Sequence, residues 1–149
     1  MKIAWEDVPL GVQSGAVTFV VTDEMVDQHL EAADLSSDWL PGASDDEMKP
    51  GKGRIAPVDL ISRLWGTELI YKFHNSTIGQ SVRAKHASTF YKPARVGMEV
   101  TGTGHLKSKY EKRGRKFITY ELKFSDADGT LLLLDERVLM VLDEGFQAK

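Results

Sequence analysis

The segment from Pro57 to about Phe73 reads as a helix that must be buried. Pro57 stands at a favoured first-turn position. Val58, Leu60, Ile61, Leu64, Trp65, Leu69 and Ile70 cover most of the helical circumference. Only Asp59, Ser62, Arg63 and Gly66 leave a narrow polar or small stripe. A helix that is apolar nearly all round has no face for solvent, so the rest of the chain has to enclose it. The 149 residues are expected to form one domain, residues 1–149. A chain of that size buries roughly 68–70% of its unfolded surface.

Beyond this helix the chain reads as strand. Val82, Ala84, His86, Ser88 and Phe90 are expected on one face of a strand that ends at KPARVG. Met98, Val100, Leu106 and Tyr110 alternate with Glu99, Thr101, His105 and Lys109 in a long half-buried strand weakened by Gly102 and Gly104. KRGR makes a hairpin turn into Phe117–Phe124, where Ile118, Tyr120, Leu122 and Phe124 face one way. DADG turns the chain again into Leu131–Leu142. Before the buried helix, Ala16 to Val21 (AVTFVV) is a β-branched run. Thr22 then caps an amphipathic helix reaching Ala33, with Asp23 and Glu24 in its first turn. Pro41 to Gly53 (PGASDDEMKPGKG) reads as an exposed, mobile loop. The implied class is α+β, a single hot-dog domain in which a curved antiparallel sheet of about five strands wraps a central helix.

Composition narrows the function classes. Apolar residues make up 42% and charged residues 28%, as in an ordinary globular chain. A net charge of −3 argues against a nucleic-acid protein, and Tyr110 and Phe117 fall in the apolar alternation rather than on an exposed stacking surface. There is no cysteine, hence no disulfide and no thiolate metal site, and the four histidines lack a metal-ligand spacing. No metal or cofactor is expected. Trp5, Glu6 and Asp7 do not read as a signal peptide and no apolar run reaches membrane-spanning length, so the expected location is cytoplasmic.

The loop Leu35 to Ala43, LSSDWLPGA, resembles the hydration loop of the MaoC-like enoyl-thioester hydratases, whose motif runs roughly Ser-Gly-Asp-x-Asn-Pro-x-His. Asp38 falls on the catalytic aspartate and Pro41 on the proline. Ser37 replaces the glycine, Leu40 the asparagine, and Ala43 the catalytic histidine. HASTFYKPARVGMEVTGTGHL and KYEKRGRKFITYELKFSDADG are similar to strand motifs of the same family, closest to the often degenerate N-terminal half of its double hot-dog members. The family's Gly-Asp stands here as Gly97-Met98-Glu99.

The resemblance implies hydration of 2-enoyl thioesters, or dehydration of 3-hydroxyacyl thioesters, carried on coenzyme A or acyl carrier protein. Asp38 would handle protons, with Asp34 as its neighbour should the register differ. His86 is the candidate replacement for the missing histidine. The helix start, Ala56 or Val58, would supply the N–H that polarises the thioester carbonyl, because Pro57 has none. Trp39 would close over an acyl chain or plug a dimer interface, and Arg54 would meet a phosphate. A basic hairpin, Lys107, Lys109, Lys112, Arg113, Arg115 and Lys116, either docks coenzyme A or a carrier or is a solvated, edge-protecting hairpin. A homodimer, or a heterodimer with another hot-dog subunit, is expected. Two other activities fit the same residues: a non-catalytic acyl-binding subunit, and a hot-dog thioesterase.

Overall fold

The computed structural model describes residues 4–36, 39–40, 42–71 and 80–142. Strand β1 (Gln13–Val20) leads into helix α1 (Asp23–Ala32), a short helix α2 (Asp45–Met48) and the central helix α3 (60–71). Strands β2 (Ser81–Phe90), β3 (Glu99–Lys112), β4 (Arg115–Asp126) and β5 (Leu131–Val141) come after it. Among the described residues these strands form one five-stranded sheet in the order β1-β3-β4-β5-β2, antiparallel throughout.

Local chemistry accounts for several boundaries. Thr22 accepts a hydrogen bond from the Met25 N–H at 3.2 Å and opens α1. Arg113 and Gly114, at φ 52° and 72°, form the two-residue turn between β3 and β4. Positive φ at both positions matches the twist of the flanking strands. Asp126 closes the next turn by accepting from the N–H groups of Asp128 and Thr130.

The concave face of the sheet is built in rows. Phe90, Leu133, Phe124, Gly102 and Val17 lie opposite one another across the five strands. The next row holds Ser88, Asp135, Leu122 and Gly104, and the next His86, Arg137, Tyr120 and Leu106. α3 lies across this face. Gly102 sets how close it comes: a Cβ there would stand 2.5 Å from the Phe124 ring and 3.3 Å from Leu69 of α3.

Three features differ from the sequence reading. A bulge between Arg83 and Lys85 shifts the phase of β2, so Arg83, not Val82 or Ala84, shares the inner face with His86. A second bulge, between Leu106 and Ser108, sends Lys109 inward to the backbone carbonyls of Trp5 and Glu6. Tyr110 then faces outward, stacked on Phe117 with ring centroids 5.1 Å apart. Each bulge adds one unpaired residue, which inverts every later side chain. The loop expected to be mobile contains α2, whose start is closed by a capping box between Ser44 and Glu47. Arg95 ties Glu47 at 3.1 Å, and the Ile55 N–H bonds to the Glu47 carbonyl.

Gly102→Ala should destabilise the protein by about 1–3 kcal/mol, the range for overpacking a filled core. Urea unfolding measures it, and a loss near zero would mean that α3 does not press on β3 at this row.

Candidate functional site

The inner face of β5 places an acid and a base in the middle of the core. Asp135 is wholly buried, and Arg137, two residues on, is 2% exposed. Their Nε–Oδ2 distance is 3.1 Å. Burying two ions costs several kcal/mol each unless every polar atom is matched, and here the neighbours supply the matches. Ser62 of α3 donates to Asp135 at 2.7 Å, and Ser88 of β2 donates to its other oxygen at 2.5 Å. Arg137 reaches the Thr67 hydroxyl at 3.1 Å, the Ser62 hydroxyl at 3.0 Å and the Ser62 carbonyl. Gly66 makes room, since a Cβ there would stand 2.4 Å from Arg137 Nη2. Ser62–Gly66 is a π-helical segment within α3, a local widening often found at functional sites.

His86 completes the cluster. Its Nε2 lies 2.5 Å from Asp135 Oδ1, 3.2 Å from the Ser88 hydroxyl and 3.4 Å from that of Ser62. The His86 side chain is 28% exposed, so a buried carboxylate orients an imidazole that still meets solvent. A Ser–His–Asp relay needs the acid and the nucleophile on different ring nitrogens. Here both serines and the acid meet Nε2, and both hydroxyl protons point to Asp135, so neither serine is arranged as a nucleophile. Among the described residues the hydrogen bonds of His86 run through Nε2 alone.

Burial pulls the Asp135 carboxyl upward. The hydrogen bonds from Ser88, Ser62 and His86 and the charge of Arg137 outweigh that pull and hold it below its ordinary value. Burial likewise lowers the Arg137 guanidinium and raises the Tyr120 hydroxyl.

Beside the cluster, at the Phe90–Leu133 row, lies an apolar cleft of about 190 Å³. Pro57, Val58 and Ile61 at the start of α3 form one wall, and Phe90, Tyr91 and Leu133 another. Val58 is exposed at its rim. The Ala56 N–H donates to the Ala94 carbonyl at 2.9 Å, so it is not open to a substrate. Trp39 is half-buried against the core. Asp38, with Ser37 and Pro41, lies outside the described residues. Asp34 is exposed at a positive φ of 54°.

Arg54 is not a phosphate ligand here. Its guanidinium is 4% exposed and consumed by Asp23 at 3.1 Å and Asp27 at 2.8 Å, which fastens α1 to the approach to α3. His29, in α1, similarly meets Asp59 at 2.9 Å. In the basic hairpin, Lys107 bridges Glu121 and Glu136, and Lys109 and Lys116 lie over the Trp5 ring. Sequence reasoning missed Asp135 and Arg137. Their signal was an acidic and a basic residue two apart inside the apolar run LLLLDERVLMVL, on the face that alternation buries.

Among the described residues no group of three His, Cys, Asp or Glu could hold a metal ion, and no helix is long and apolar enough to cross a membrane. No protein-family model and no curated protein matches the sequence. Solved structures do match the fold. A chain of the (3R)-hydroxyacyl-ACP dehydratase complex HadBC from Mycobacterium tuberculosis aligns over 83% of this chain and 90% of its own, at TM-score 0.68 and 18% identity. The R-hydratase PhaJ1 of Pseudomonas aeruginosa aligns over 97% and 90%, at TM-score 0.68 and 16% identity. The MaoC-like dehydratase from Rhodospirillum rubrum aligns over 97% and 99%, at TM-score 0.70 and 12% identity. This is the hot-dog fold. Its neighbours are MaoC-like dehydratases and (R)-hydratases, the class that the loop and strand motifs resemble.

Replacing Asp135 with Asn should cost about 3–5 kcal/mol at neutral pH, because Arg137 is left buried without its counter-charge. A carboxyl depressed in the folded state stabilises it above the unfolded value, about 3.9, and loses that contribution as pH falls through the lower folded value. The gap between wild type and Asp135→Asn should therefore narrow below about pH 4. Urea midpoints taken from pH 7 downward test this; a gap that stays constant into acid would assign the loss to packing rather than charge.

Proposed function

We propose that this chain is a MaoC-like hydratase or dehydratase subunit acting on 2-enoyl or 3-hydroxyacyl thioesters of coenzyme A or acyl carrier protein. The observation that carries the reading is the partly exposed His86 held at 2.5 Å by the wholly buried Asp135, next to an apolar cleft at the start of the central helix. Addition of water to an enoyl thioester requires a base for the water proton, a donor for the thioester oxygen, and a proton returned to the carbon beside the carbonyl. His86, through Nδ1, takes the water proton as oxygen bonds to C3. The Val58 N–H at the helix start stabilises the charge that develops on the thioester oxygen. The proton that His86 took is then returned to C2, with Asp38 sharing that transfer, and dehydration runs the same steps in reverse. Trp39 bounds the acyl site.

A second hot-dog subunit belongs to this reading. β2 is an edge strand that is exposed along nearly its whole length, with Val82 45% and Phe90 46% exposed. Among the described residues no strand pairs with its outer edge, and an open edge invites pairing; a partner there would close the cleft on its open side. Ala43, where the motif has histidine, favours one second reading: an acyl-binding subunit that completes the site of a catalytic partner. HadBC is itself a complex of a dehydratase.

The test monitors the loss of conjugated enoyl-thioester absorbance for the full chain, Asp38→Asn and His86→Asn. Turnover is expected, with each substitution slowing it by about 10²–10⁴-fold. Thioester binding without turnover would establish the non-catalytic subunit instead. Release of free thiol would mark a thioesterase, and full activity in His86→Asn would remove His86 from the mechanism.

A further inference from the structure

The inner face along β2 and β5 carries one more feature, on the far side of the His86–Arg137 row from the apolar cleft. A cavity of about 110 Å³ is lined there by Thr67, Tyr71, Ser81, Arg83, Arg137 and Leu139. Arg83 reaches it only because the bulge turns it inward opposite Leu139. The charges do not balance. Arg137 is matched by Asp135, whereas among the described residues Arg83 has neither a hydrogen bond nor an ion pair. Arg83 therefore adds an unmatched positive charge to this wall, and that charge presses on Arg137.

Hydroxyl groups complete the lining. Thr67 Oγ1 accepts from Arg137, so its own proton is available to a ligand, and the Ser81 hydroxyl also lines the cavity. Leu139 and Ile70 supply apolar wall beside the cations. A cation fork, two hydroxyl donors and a few methylenes' worth of apolar surface suit a carboxylate on a short carbon chain. The planar guanidinium pairs with it through two parallel N–H bonds.

We propose that this cavity is a binding pocket for a small carboxylate, with Arg83 as the group that holds it. The assignment stands on the cavity alone. Where the hydration reading also holds, on which this extension rests, the carboxylate is the far end of a short dicarboxylic acyl group. Across the bulge Arg83 and His86 stand opposite Leu139 and Arg137, so their rows are roughly 6.6 Å apart at the rise of a strand.

Titration calorimetry of the full-length protein with succinate, and separately with inorganic phosphate, tests the pocket without any thioester. Succinate should bind saturably, at least tenfold more weakly to Arg83→Gln, with Arg83→Lys between the two. Arg83 is exposed on an edge strand, so the variants should fold, and unchanged circular dichroism checks that they do. Binding that survives in His86→Asn separates the pocket from the catalytic reading. No saturable succinate binding, equal binding by Arg83→Gln, or phosphate binding more tightly than succinate would each overturn the proposal.

Discussion

Asp135 and Arg137 stand opposite the central helix in a mostly apolar core, and their neighbours on α3 and β2 are arranged to satisfy them. Removing an ion from water is tolerated only where its partners are held at hydrogen-bond distance. The helix contributes Ser62 and Thr67, and the edge strand contributes Ser88 and His86. These partners come from two elements, the central helix and β2, while β5 carries the charges, so meeting the demands of two charges fixes the height of α3 and the register of β2 together. Gly66 is the steric counterpart of the same constraint, because the guanidinium occupies the volume that a side chain there would fill.

That arrangement also explains where chemistry can happen. A sheet wrapped round a helix offers solvent access only where it is not closed, and β2 is the uncovered edge beside the polar cluster. Three environments succeed one another along the β2–β5 pair. The apolar cleft lies at Phe90 and Leu133, the His86–Asp135 pair in the middle, and the arginine-lined cavity at Arg83 and Leu139. Successive inner-face rows are roughly 6.6 Å apart at the usual strand rise. The Leu133 and Leu139 rows at the two ends of this series are thus roughly 20 Å apart.

Legibility differed between the elements and the site. The cap at Thr22, the turn at Arg113–Gly114 and the inward set Ile118, Tyr120, Leu122 and Phe124 could be read locally, because each depends on neighbours within a few residues. The phases of β2 before the bulge at Arg83 and of β3 beyond Leu106 could not. A bulge is chosen by the fit of a strand to its partner, and alternation alone carries no mark of it. Arg54 looked like a free cation beside a helix start, yet the residues that neutralise it are 31 and 27 positions earlier in the chain. His86 was legible as an inward histidine. Its partner Asp135 lies 49 residues on and was passed over within an apolar strand.

By itself the sequence determined a helix apolar on nearly every side for a sheet to curl round, although Val58 and Leu64 stay about half exposed in the folded chain. Periodicity and capping act over single turns and strand repeats, and they survive any rearrangement of the whole. Tertiary structure decided which polar groups meet. Ser62, His86, Ser88, Asp135 and Arg137 become one network only when β2 pairs with β5 under the central helix. Pairing partners and bulges are settled by the energy of the assembled core, and short-range pattern contains no term for that.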